Sequence, residues 1–229
     1  MRVQINFEMK KILTVYNIAF LLLLIVELGL LYTYPKLELH LMLNSHHTAF
    51  QDTFFKYYTV LAEWPLYVLM LIPLLFKKYR ITIFFAISEV FAGVTLQILK
   101  NCFKMDRPVR VFEGCTDMVL PLVEGVDMHH SNSFPSGHSS TFVVFSTVWA
   151  IILAYRFINS DQKDFNKRIK TILIVLGLLI LAVLGGYSRI YLSQHFLSDV
   201  CVGSLIGFVV PYIVYYFGRK KLFKSPITE

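Results

Sequence analysis

The sequence predicts an all-α protein, a six-transmembrane helical bundle with an outward-facing loop and short helices over its polar end. Three observations predict it. Of the 229 residues, 56% are apolar and only 16% charged, with mean hydropathy +0.59, whereas a soluble domain carries about 25% charge. Six apolar stretches, residues 12–34, 57–76, 81–99, 139–158, 171–187 and 196–217, each approach the roughly 20 residues that a helix needs to cross about 30 Å of hydrocarbon. The basic side chains gather in alternate connections. This composition excludes disorder, a collagen-like repeat and nucleic-acid binding by a basic soluble domain. It leaves room for one membrane domain, 1–229, and no separate soluble one.

The first stretch follows Lys10 and Lys11. Its apolar core exceeds the roughly 7 to 15 residues of a secretory signal and no small-x-small site follows it, so an uncleaved anchor is expected. Lys77, Lys78 and Arg80 separate the second and third stretches. Arg156, Lys163, Lys167, Arg168 and Lys170 mark the connection from the fourth to the fifth, and Arg219, Lys220, Lys221 and Lys224 follow the sixth. Only Glu8, Asp161, Asp164 and Glu229 oppose them. Positive charge marks the cytoplasmic side, so both termini are expected inside, and segments 35–56, 100–138 and 188–195 outside. The 100–138 connection is the longest, and loops beyond about 12 to 15 residues are usually functional or disordered.

Polar groups interrupt the outer ends of these stretches. Lys100 and Arg107 stand seven positions apart, with Pro108 restricting Arg107 to extended backbone. Taken alone, snorkelling anchors explain this pair as well as a binding site does. The fourth stretch opens Phe134-Pro135-Ser136-Gly137-His138, with Ser136 expected as N-cap. Such a terminus presents unpaired N–H groups and a positive pole to an anion, Gly137 permits close approach, and His138 titrates near neutrality; an ordinary cap is the plainer alternative. His195 and Asp199 lie at i and i+4, one face of a helix, so the carboxylate can orient the imidazole. Gly203 and Gly207 continue that face by fours and favour close approach of a neighbouring helix.

The inside–outside alternation brings the C-terminal ends of stretches three and five and the N-terminal ends of four and six to one membrane face. Lys100, Arg107 and Arg189, an anion-favouring helix start and a His–Asp pair converge there. A phosphate-handling site is expected.

These residues resemble the three-part signature of the PAP2 (type 2 phosphatidic acid phosphatase) superfamily, related to vanadium haloperoxidases. The parts are Lys100, six positions and Arg107-Pro108; Pro135-Ser136-Gly137-His138; and Ser188-Arg189, five positions, His195, three positions and Asp199. They occupy the core 100–199 and are intact. The resemblance implies metal-independent hydrolysis of a lipid-linked phosphate monoester or diphosphate through a phosphohistidine. It implies His195 as nucleophile, Asp199 as its orienting group and His138 as general acid. Lys100, Arg107, Ser136, Gly137 and Arg189 would bind the phosphate; Ser188 belongs to the motif without an assigned role. No metal and no cofactor are implied. The expected partners are a lipid phosphate and the bilayer, with no nucleic acid and no obligate protein partner. The resemblance favours a bacterial inner membrane with the site facing the periplasm and a cell-envelope lipid, lipid A or undecaprenyl diphosphate foremost; transfer of the phosphoryl group to another acceptor is the alternative.

Other polar residues are read more simply. His46-His47 and His129-His130 are expected as solvated loop residues, because adjacent imidazoles point apart. Glu27, Glu63 and Glu89 are expected at boundaries or in interhelical hydrogen bonds. Cys102 and Cys115 share the outer loop, where a disulfide is left open, and Cys201 should stay reduced.

Overall fold

A computed structural model describes residues 2–115, 117–159 and 164–223. Among them every regular element is helical: α1 (Arg2–Thr33), α2 (Lys36–Leu43), α3 (Ala49–Tyr58), a 3₁₀ turn (Thr59–Ala62), α4 (Trp64–Phe103), α5 (Pro108–Glu113), α6 (Gly137–Ile158), α7 (Phe165–Tyr191) and α8 (Leu197–Leu222). Asp161, Lys163, Lys224 and Glu229, used above for orientation, lie outside the described residues.

Five helices among the described residues are long and apolar enough to cross a membrane: Met9–Thr33, Lys78–Glu113, Gly137–Ile158, Phe165–Tyr191 and Leu197–Arg219. The second expected span, residues 57–76, is divided. Its start falls in the last turn of α3 and in the 3₁₀ turn, and Glu63 is extended (φ −75, ψ 139) ahead of Pro65, whose ring cannot continue a preceding helix. Helix resumes at Trp64 and breaks at Lys78 (φ −148, ψ 55). The two limbs of α4 fold back on each other there. The rings of Tyr67 and Phe85 are 6.4 Å apart, where an unbroken helix would separate them by about 27 Å.

Helix α6 is the hub, packed against α7, α8, α4 and α1; 61% of its most apolar window is buried against 17% for α1. Its Val144, Val148, Ile151 and Ile152 meet Ile12 and Phe20 of α1, Phe84 and Phe85 of α4 and Leu179 of α7 in one core. Polar ties fix α1 at depth: Tyr16 bonds Ser146 Oγ and Thr147 Oγ1 at 3.0 Å each, and Tyr212 of α8 donates to Asn17 at 2.5 Å. Hydrogen bonds between spans register helices that hydrophobicity alone cannot align in lipid. The seam expected at Gly203 and Gly207 is present. A Cβ at Gly203 would overlap the Ser136 carbonyl oxygen, and one at Gly207 the Ser140 carbonyl oxygen.

Candidate active site

Four helix ends and two loops supply the polar groups. Lys100 lies in the last turn of α4, which closes through Lys104 in the left-handed region (φ 44). Arg107 is extended (φ −81, ψ 162), as Pro108 requires. Although only 9% exposed, its guanidinium is held: Nε donates to Ser131 O at 3.0 Å, and Nη1 to Gln194 O at 3.2 Å and Gln194 Oε1 at 3.0 Å. Arg189, in the last turn of α7 and buried, donates from Nη1 to Thr59 Oγ1 at 2.6 Å. Its Nε is buried without a partner, so the site holds a cationic donor awaiting an acceptor.

Ser136 caps α6 as expected, its Oγ accepting from Ser139 N at 3.4 Å and Ser139 Oγ at 2.8 Å. Its own hydroxyl proton remains available. No atom lies within 4 Å of the direction a Gly137 Cβ would take, so the terminus is open to an approaching anion.

His195 is 2% exposed and sits just before α8. Its Nδ1 is 3.6 Å from Asp199 Oδ2 and 3.5 Å from Ser133 Oγ. Asp199 Oδ2 also accepts from Ser133 Oγ at 2.5 Å and from Phe196 N at 3.0 Å, the latter an N-terminal helix contact that suits an acidic side chain. Burial, reinforced by the positive charges of Arg107 and Arg189 and opposed by Asp199, pushes the His195 imidazole down to about 3. The ring is therefore neutral at physiological pH, and with Nδ1 turned to Asp199 and Ser133 the lone pair is free at Nε2.

His138 opens onto a cavity of about 310 Å³ shared with Arg189, Gln194, Thr59, Glu63 and His129. Arg189, His195, Arg107 and Lys100 all act electrostatically on its ring, and Arg107, Asp199 and Arg189 act on Lys100. The structure thus brings the eight site residues named above to one end of the bundle, whereas Ser188, named without a role, has its buried Oγ donating to Gly185 O at 2.6 Å, a bond within its own helix.

Three supporting residues carried no signal in the sequence: Ser133, Gln194 and Thr59 are ordinary polar residues whose partners are distant along the chain. One histidine reading changes. His47 is half-buried rather than solvated, linking Asp52 Oδ1 and Asn44 Oδ1 at 2.8 Å each, and Asn44 donates to Ser193 Oγ at 2.6 Å beside the site. His129 is exposed, as expected, and lines the cavity. Glu89 accepts from Thr141 at 3.3 Å, an interhelical bond of the kind expected. Cys102, Cys115 and Cys201 are all free thiols, and among the described residues no group of three His, Cys, Asp or Glu side chains could hold a metal ion.

Residues 80–223 match the family model described as PAP2 superfamily. The chain is 30% identical over 128 residues to phosphatidylglycerophosphatase B of Haemophilus influenzae (53% of this chain, 50% of that protein). It is 37% identical over 94 residues to phosphatidylglycerophosphatase B of Bacillus subtilis (41% and 43%). It is 30% identical over 143 residues to the probable diacylglycerol pyrophosphate phosphatase 1 of Schizosaccharomyces pombe (56% and 50%). The alignments span about half the length of these relatives. Among solved structures, Aquifex aeolicus LpxE superposes with TM-score 0.58 at 25% identity, over 80% of this chain and 97% of that one. A transmembrane PAP2 type phosphatidylglycerolphosphate phosphatase from Bacillus subtilis shares the fold with TM-score 0.58 at 21% identity, over 89% and 96%.

Proposed function

The chain belongs to the PAP2 superfamily, and from that premise we propose that it hydrolyses a lipid-linked phosphate through a phosphohistidine, without a metal. The observation that carries this reading is the buried imidazole of His195, backed at Nδ1 by Asp199 and Ser133, with Arg107 and Arg189 beside it and Lys100 beside His138. Phosphoryl transfer asks a protein mainly for positioning and for compensation of equatorial charge. Lys100, Arg107, Arg189, Ser136 and the amides after it supply both, and the orphaned Arg189 Nε would gain an acceptor from a phosphate oxygen.

In the first step Nε2 of His195 forms a bond to phosphorus as the bond to the lipid oxygen breaks, and His138, which takes up a proton once the bound phosphate offsets the cations around it, gives that proton to the lipid oxygen. Phospho-His195 bears a cation shared over its ring, which the Asp199 carboxylate stabilises. In the second step neutral His138 takes a proton from water as the water oxygen bonds to phosphorus. The N–P bond breaks, orthophosphate leaves and His195 is neutral again. An alcohol in place of that water would balance the same second step, because only the acceptor differs, so transfer of the phosphoryl group to another acceptor is the alternative reading.

The family resemblance favours a bacterial cell-envelope substrate such as lipid A or undecaprenyl diphosphate, and the charge pattern favours cytoplasmic termini and a periplasmic site. Purified protein in EDTA, given a panel of these lipids, should release orthophosphate and be inhibited by vanadate. A rapid quench with radiolabelled lipid should trap base-stable phosphate on wild type and none on His195→Ala. Activity abolished by chelation, or retained by His195→Ala, overturns the reading. In a cysteine-free background, Val119→Cys should react with an impermeant maleimide only from outside and Phe165→Cys only after permeabilisation; both positions are exposed.

A further inference from the structure

Ser133 lies outside the three signature motifs, yet it is fully buried at the centre of the site. Its Oγ donates to Asp199 Oδ2 at 2.5 Å and lies 3.5 Å from His195 Nδ1, so it sits in the angle between carboxylate and imidazole. Its backbone N donates to Met105 O at 2.9 Å, in the loop that carries Arg107. That loop is tied to the same segment in return, Arg107 N donating to His130 O at 3.0 Å and Nε to Ser131 O at 3.0 Å. Three residues on, Ser136 N donates to the Asp199 carbonyl at 2.9 Å. Segment 130–136 is therefore pinned to Arg107 at one end and to Asp199 at the other, with the Ser133 hydroxyl at the junction.

We infer that Ser133 is a positioning residue for the phosphoryl-transfer step, its hydroxyl fixing the Asp199 carboxylate so that one oxygen faces His195 Nδ1. The His195–Asp199 contact is long, 3.6 Å, while the Ser133–Asp199 contact is short. In the resting site the serine and the Phe196 amide, not the imidazole, hold that oxygen. When His195 accepts the phosphoryl group, its ring gains positive charge and its Nδ1–H becomes a stronger donor toward an oxygen already aimed at it. The carboxylate has no search to make at that moment, which is the advantage of preorganisation. Ser133 touches neither phosphorus nor the leaving group in this role; it acts through Asp199.

The inference rests on His195 as the nucleophile, and the experiment separates the two. Ser133→Ala, Ser133→Thr, Asp199→Asn and the Ser133→Ala/Asp199→Asn pair are assayed on one lipid phosphate beside His195→Ala, with vanadate inhibition and melting temperature for each. Ser133→Ala should lower kcat by about 10- to 100-fold, the worth of one hydrogen bond to a charged group. KM and the vanadate inhibition constant should stay within about twofold, because one bond to Asp199 is lost while the phosphate-binding cations remain. Ser133→Thr, which keeps the hydroxyl, should recover most of the rate. In the Asp199→Asn background the alanine should cost almost nothing further. A wild-type rate for Ser133→Ala, or losses that multiply in full with Asp199→Asn, overturns the inference even if melting is lowered, while His195→Ala activity would overturn the mechanism beneath it.

Discussion

Gly203 of α8 lies so close to Ser136 at the head of α6 that a Cβ would overlap the Ser136 carbonyl oxygen. One turn above, the Asp199 carbonyl accepts from Ser136 N at 2.9 Å. The helix α6 that carries His138 and the helix α8 that carries Asp199 are thereby locked together at their N-terminal ends.

Gly203→Ala and Gly207→Ala should therefore damage the protein, since backbone atoms of α6 must move to admit the methyl. A loss of about 1–3 kcal/mol is expected for such overpacking, with activity falling further than stability because the site is the part displaced. Gly29→Ala, where nothing lies within 4 Å, should change neither. Melting in detergent alongside phosphate release checks the contrast.

His138 is assigned the proton for the leaving oxygen, so its removal should depend on the leaving group. His138→Ala should slow hydrolysis of an alkyl phosphate by about 10²- to 10⁴-fold. It should slow phosphoenzyme formation from p-nitrophenyl phosphate much less, because nitrophenolate leaves without a proton. Equal losses on both, read by rapid quench, would remove His138 from that role.

Acidification provides another test. Buried His195 stays neutral down to about pH 3, whereas a histidine in the unfolded chain protonates at about pH 6.5. Between those values the unfolded state binds the extra proton, so the contribution of His195 to stability is complete above pH 6.5 or so and drains away as pH falls toward 3. Wild type should lose more stability than His195→Gln on going from pH 7 to pH 4. Parallel melting curves for the two would show that the imidazole titrates normally.

Thr59 holds Arg189 through a 2.6 Å bond from the 3₁₀ turn. Thr59→Val keeps the shape and removes the acceptor, leaving a second guanidinium donor unsatisfied beside the orphaned Nε. Weaker phosphate binding should follow, seen as a several-fold rise in KM and in the vanadate inhibition constant, with about a tenfold loss in kcat/KM at most. A change confined to kcat would place Thr59 elsewhere in the mechanism.

Much of this was legible along the chain because its signals are local. Apolar runs of membrane length, the Ser136 cap, the extended backbone ahead of Pro108 and the i, i+4 pairing of His195 with Asp199 each depend on residues a few positions apart. The division of residues 57–76 was less legible, because hydropathy registers composition and is blind to a break made by one extended residue, Glu63, ahead of Pro65.

Sequence alone determined that this is a membrane-spanning helical protein in which the ends of several helices collect cations, a helix N-terminus and a His–Asp pair, since burial of apolar length and side-chain charge act wherever the chain goes. Only tertiary structure decided how those groups are held. Ser133 reaches Asp199, Gln194 reaches Arg107 and Thr59 reaches Arg189 across 66, 87 and 130 positions respectively. A hydrogen bond depends on where two atoms stand to within a few tenths of an ångström, and packing of α6 against α4, α7 and α8 sets that distance.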